Sequence, residues 1–143
     1  MSNRIHVASL FFVAMITIVS CKDDESVDKE KTLTSKDWKI SKFEVFGQDV
    51  TDEYFTDDCL KDDYLTFVED GTLIQHPGTD DCDGGAQEEE GTWSFKENKS
   101  VLSVQAASFD VEGEIKKFTS STIVISTYID AIGFDVTVTL VAK

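Results

Sequence analysis

The chain has 143 residues, with 28 Asp and Glu against 13 Lys and Arg, a formal charge of −15. A field of that sign repels nucleic acid and anionic lipid surfaces. Arg4 is the only arginine, so the bidentate guanidinium fork that suits phosphate groups is missing from everything after it. The length allows one domain with a modest core.

Residues 1–20 read as a leader. The opening MSNRIH carries a single Arg, and VASLFFVAMITIV (7–19) is apolar. As a helix that stretch reaches roughly 20 Å, short of the roughly 30 Å hydrocarbon core, so it suits a signal-peptide h-region better than a permanent span. Ile18-Val19-Ser20-Cys21 then resembles a bacterial lipobox. The resemblance implies cleavage before Cys21, a thioether-linked diacylglycerol on Cys21, and a membrane anchor of two or three acyl chains, since one chain alone binds only marginally. Losing the leader removes Arg4 and makes the chain one unit more negative than −15.

Residues 21–32 read as the lipidated Cys followed by a flexible charged tether. KDDESVDKEKT offers only Val27 as a sizeable apolar side chain, too little burial to order itself. Lys22-Asp23-Asp24 resembles the surface-export signal of Bacteroidota lipoproteins. The expected location is therefore the outer membrane, with the cell surface favoured over the periplasmic face.

Residues 33–143 alternate with period two. In DWKISKFEVF, Trp38 and Ile40 share one parity and Phe43 and Val45 the other, which predicts a bulge near Ser41–Lys42. TDEYF, opened by Thr51, predicts a short helical turn near residues 52–56 that plugs an end of the sheet. DDYLTFVEDGTLIQHP predicts a hairpin around Asp70-Gly71. Read as a two-residue turn, Glu69 faces Thr72, and the same pairing sets His76 opposite Leu65. GTWSFKE turns Trp93 and Phe95 inward. SVLSVQA, FDVEGEIKKF and STIVISTY are three further strands, with ENKS as a turn. GFDVTVTLVAK places Phe134, Val136, Val138 and Leu140 on one face and Asp135, Thr137 and Thr139 on the other. About eight short strands with almost no helix predict an all-β antiparallel up-and-down meander. Closed into a small barrel, it buries one face and removes exposed edges.

Three cysteines are an odd number for an exported chain, but lipidation of Cys21 leaves Cys59 and Cys82 as a pair. An oxidising envelope favours their disulfide, and the hairpin pairing above, continued outward, sets the two opposite each other. A bulge would shift that register by one. The bridge would close a loop of about 24 residues, worth roughly 3–3.5 kcal/mol in the chain-entropy model. A catalytic thiol or metal pair would want a nearby basic group or more ligands.

The ordered series LTSKDWKISKFEVFGQDVTDEYF, CLKDDYLTFVEDGTL and GTWSFKEN resembles the lipocalin-like domains of Bacteroidota lipoproteins, over roughly Leu33 to Lys143. The resemblance implies a small calycin-like barrel with room for a ligand cavity, and no shared set of catalytic residues. It departs from lipocalins proper at one place. They carry Gly-x-Trp on the first strand, whereas here Lys36 precedes Asp37-Trp38, and the Gly-Thr-Trp at 91–93 lies too late to fill that role.

His76 is the sole histidine after the leader, a structural or surface residue on this reading. Zinc sites and Ser-His-Asp chemistry both lack parts, so no enzyme activity is expected. Residues 49 to 90 hold fifteen acidic side chains and one basic one, Lys61. The hairpin puts both acidic loops at one barrel end, as a solvated acidic rim. Asp81, Asp83, Gly84 and Glu90 match positions 3, 5, 6 and 12 of an EF-hand loop, but Thr79 replaces the first Asp and the flanks are strands. An irregular Ca²⁺ site on Asp81, Asp83 and Glu90 is the one cofactor in view. Two functions follow: a binding module for a small apolar or amphipathic ligand, or an envelope interaction protein docking through its acidic rim or outer strand faces without a cavity. Inward apolar positions fit the first, and they equally describe a filled core.

Overall fold

Alternation along the strands closes into an antiparallel barrel. The computed structural model describes residues 27–55, 61–79, 87–106, 110–129 and 133–143. The strands are β1 (Asp37–Val45), β2 (Gln48–Asp49), β3 (Tyr64–Phe67), β4 (Thr72–His76), β5 (Glu89–Lys96), β6 (Val101–Gln105), β7 (Asp110–Phe118), β8 (Thr122–Ile129) and β9 (Phe134–Ala142). From β3 to β9 each strand pairs with the next, and β1 closes the ring by pairing with both β3 and β9. All eight expected strands are present, and β2 is a two-residue addition hydrogen-bonded to the end of β1.

The β1–β9 register shifts between Ile40 and Lys42, the bulge that the parity switch demanded. It lets Trp38 and Phe43, of opposite parity, both point inward and be buried. Around them Phe67, Leu73, Leu102, Ile123 and Val136 are almost fully enclosed, and burial of such side chains is the main stabilising term.

One end is closed by α1 (Lys29–Thr34), which begins inside the segment expected to be tether. Its sequence is polar apart from Leu33, yet tertiary contacts hold it. Leu33 is fully buried, and its carbonyl accepts a hydrogen bond from Trp38 Nε1 at 2.9 Å. Lys29 Nζ donates to the Lys99 carbonyl (2.7 Å), and Lys99 Nζ to Glu30 Oε2 (2.9 Å). The 3₁₀ turn gripped in this way, Glu97–Lys99, has three consecutive non-glycine residues at positive φ (49°, 55° and 65°). L-residues resist that conformation. Glu97→Gly is accordingly expected to stabilise the fold by up to about 1 kcal/mol, read as a higher urea midpoint at unchanged m-value.

The β3–β4 hairpin departs from expectation. Phe67 faces Leu73 and Tyr64 faces His76, so every pair lies one residue from the predicted register. The connection is a three-residue loop: Gly71 N–H donates to Val68 O (3.0 Å), Val68 N–H to Thr72 O (2.8 Å), and Gly71 takes φ 90°. This turn-plus-bulge inserts the extra residue and brings Leu73 inside against Phe67. His76 therefore lies opposite Tyr64, not Leu65. Continued outward, the observed register does not set Cys59 opposite Cys82. Both cysteines, like Cys21, lie outside the described residues, and the expected pairing rests on the cysteine count and the expected compartment alone.

Asp70 Oδ1 accepts from Thr72 N–H at 2.9 Å, and this bond holds its carboxyl below the ordinary value. Asp49 is lowered in the same way by the hydroxyl and amide of Thr51. A depressed folded pKa contributes stability above the unfolded value of about 3.9 and loses it as pH falls through the folded value. Asp70→Asn should thus lose less stability than the native chain between about pH 5 and pH 2, measured by urea titration at each pH.

Candidate functional site

The end opposite α1 is built differently. The β1–β3 ladder has only two pairs, Asp37 with Thr66 and Trp38 with Leu65. Beyond them the strands part, and α2 (Thr51–Tyr54) lies alongside β1 instead. Val50 N–H donates to Phe43 O (2.9 Å), and Phe43 N–H donates to Thr51 Oγ1 (3.0 Å). Thr51 thus completes the edge of β1, while Val50 takes the N-cap place expected of Thr51.

Behind this gap lies an apolar cavity of about 80 Å³. Ile40 and Phe43 of β1, Leu65 and Phe67 of β3, Leu102 and Val104 of β6, and Val111, Ile125, Val138 and Leu140 from the last three strands line it, with Tyr54. The Tyr54 ring stacks on Phe43 with centroids 4.1 Å apart and planes within 8°, and meets Phe55 edge-on at 5.0 Å. It is 50% exposed, so the side chain that lines the cavity also meets solvent. The space is small. A dry engineered cavity of about 150 Å³ takes up benzene, and drug-sized sites run to about 300–1,000 Å³. As it stands, the barrel admits only a few heavy atoms.

The rim is aromatic and acidic. Phe46 and Gly47 turn β1 into β2 with φ 52° and 72°, a conformation that favours Asn or Gly over Phe. Phe46 is 71% exposed and meets Phe134 edge-on at 4.7 Å. Asp49, Asp52, Glu53, Glu88 and Asp135 are exposed at this end. Asp63 Oδ1 and Asp62 Oδ2 accept from the Gly78 and Thr79 amides (2.9 and 2.6 Å), tying the flanks of the two acidic loops together as the rim reading required. Lysines concentrate at the other end, where Lys29, Lys36 and Lys99 engage the closing turns.

Sequence comparison agrees with this architecture. The lipocalin-like domain family matches residues 34–125. The chain belongs to that family. A solved structure with the same fold is a DUF4847 family protein from Bacteroides vulgatus ATCC 8482, 12% identical, with TM-score 0.54 over 80% of this chain and 96% of that one. No curated protein matches.

On this lipocalin-like barrel His76 lies on the outer face of β4. Its ring stacks on Tyr64 (4.4 Å), Nε2 is 3.0 Å from Thr66 Oγ1, and Nδ1 is 2.7 Å from Glu88 Oε1. Hydroxyl, imidazole and carboxylate stand in triad order, a constellation that the mistaken register concealed. Thr66 spends its proton on Asp37 Oδ1 at 2.7 Å, so it is not poised as a nucleophile. The cluster braces β1, β3, β4 and the residue that leads into β5 as a strut, in keeping with the structural reading of His76.

Of the calcium candidates, Glu90 is exposed on β5, while Asp81 and Asp83 lie outside the described residues. Among the described residues no group of three or more His, Cys, Asp or Glu could hold a metal ion, and no helix is long and apolar enough to cross a membrane. The residues that sequence reasoning missed are Tyr54, Phe46 and Phe134. The one available signal was an isolated helical turn ending in an aromatic pair, Tyr54-Phe55, between two strands.

Proposed function

We propose that this lipocalin-like protein is a membrane-anchored, non-enzymatic binding module that takes a small apolar or amphipathic molecule into the barrel behind Tyr54. The observation that carries the reading is the apolar cavity at the parted β1–β3 seam, closed by one half-exposed ring on a four-residue helix. Binding requires Tyr54 to leave Phe43. An aromatic pair is worth about 0.5–1.5 kcal/mol, and a population cost of that size lowers apparent affinity about two- to tenfold.

Tyr54→Ala is therefore expected to bind 1-hexanol about two- to tenfold more tightly than the native chain, measured by calorimetry. Equal affinity would show that the ring is no gate, and an absence of binding to both would remove the cavity reading. Anchoring is supported by Ile18-Val19-Ser20-Cys21, and surface display by Lys22-Asp23-Asp24. The described chain begins at Val27 beside the closed end, so a lipid on Cys21 would tether that end and leave the mouth facing away from the membrane. The exposed Phe46–Phe134 pair favours a second reading, in which the rim docks another envelope component.

A further inference from the structure

We infer that the cavity's ligand is an organic cation: a short apolar tail enters behind Tyr54 while a positively charged head rests at the mouth among the rim carboxylates and aromatic faces. The inference rests on the binding reading above and adds the chemistry of the head group. Three observations converge on it.

The first is charge at the opening. Asp52 and Glu53 immediately precede Tyr54 on α2, Asp49 precedes them, and Asp135 follows Phe134. Two lysines near this end, Lys42 on Glu44 (2.7 Å) and Asp49 (4.0 Å) and Lys61 on Asp52 (3.3 Å), offset only part of this charge, and the rim stays negative. A fatty acid or other anion would set its carboxylate among like charges, whereas a cation meets an attractive field concentrated by a low-dielectric cavity.

The second is the rim's aromatic surface. Phe46 and Tyr54 are exposed aromatic rings, and aromatic rings attract ammonium groups over their faces, quaternary ones included. Where this chain satisfies ring faces with its own lysines it does so elsewhere among the described residues, on Phe118, Trp38 and Tyr64. The third is size. About 80 Å³ of space, lined by apolar side chains apart from Tyr54, admits a few carbons and offers no charged partner for a buried cation, so the head group must stay at the mouth.

The test is a calorimetric titration of the full chain with three six-carbon probes that share a tail: hexyltrimethylammonium, 1-hexanol and hexanoate. The expected order is hexyltrimethylammonium tightest and hexanoate weakest, at least about tenfold apart in low salt, with the gap shrinking as salt shortens the screening length. Hexyltrimethylammonium should also displace 1-hexanol. Equal or tighter hexanoate binding, a salt-independent order, or a cation that does not compete with 1-hexanol would overturn the inference and leave the cavity reading standing. Failure of all three probes to bind would overturn both.

Discussion

Trp38→Ala is expected to cost about 3–5 kcal/mol, a large part of the 5–15 kcal/mol that holds a domain of this size together. Trp38 is fully buried, and it stands on the strand that closes the ring, facing Leu65 of β3 and Ala142 of β9. Its indole N–H also holds the Leu33 carbonyl of α1. The substitution therefore opens a core cavity, weakens the closing seam and frees the helix α1 that closes one end of the barrel. Trp38→Phe separates these effects. It keeps most of the ring volume and loses the hydrogen bond, so it should cost about 1–3 kcal/mol through the carbonyl left without its partner. Urea denaturation of both variants is the measurement. A loss below about 1 kcal/mol for Trp38→Ala would mean that the seam is not closed by this residue.

Gly91→Ala is the second large effect, and its cause is the opposite one. A Cβ at Gly91 would stand 2.1 Å from the Gln105 carbonyl oxygen and 3.0 Å from the Ala106 Cα. Both neighbours are backbone, so no side chain can swing aside. Either the paired strands β5 and β6 separate there or the barrel deforms, at a cost of about 3 kcal/mol or more. Gly113 is a useful comparison, because a Cβ there meets a side-chain methyl, Ile125 Cγ2 at 2.4 Å, which can partly move, and its nearest backbone atom, the Ser126 carbonyl oxygen, is farther off at 2.9 Å. Gly91→Ala should therefore destabilise more than Gly113→Ala. The reverse order would mean that β5 and β6 are not packed as closely as the structure places them.

Much of the fold was legible because period-two alternation survives tertiary context. Val136, Val138 and Leu140 declare an inward face without help, and the parity switch in DWKISKFEVF needs a bulge whatever the fold. Phe134, expected on that same face, instead lies exposed at the barrel mouth, where the strand has just begun and Phe46 covers it edge-on. The hairpin register was less so. Asp70-Gly71 suits a two-residue turn and a three-residue turn with a bulge alike. Adjacent Leu73 and Ile74 leave the choice open, although Leu73 shares the odd parity of inward Leu65 and Phe67. That one-residue slip moved His76 to the outer face and hid its contacts with Thr66 and Glu88. Helix α1 was hidden for another reason. Its stability lies in contacts with Trp38 and Lys99, far along the chain, while its own composition reads as solvated charge. The site stayed illegible for the same cause, since only packing shows that Tyr54 covers a cavity and that β1 and β3 part beside it.

The central claim is that a small apolar molecule occupies the barrel interior through the mouth beside α2. Methyl-resolved NMR during titration with 1-hexanol tests it most directly. The account predicts shifts concentrated on Ile40, Leu65, Val104, Ile125 and Val138, with the Tyr54 ring resonances moving in step as the stack on Phe43 opens. Methyl resonances that stay fixed at saturating 1-hexanol, or that move only on the outer strand faces, would contradict it.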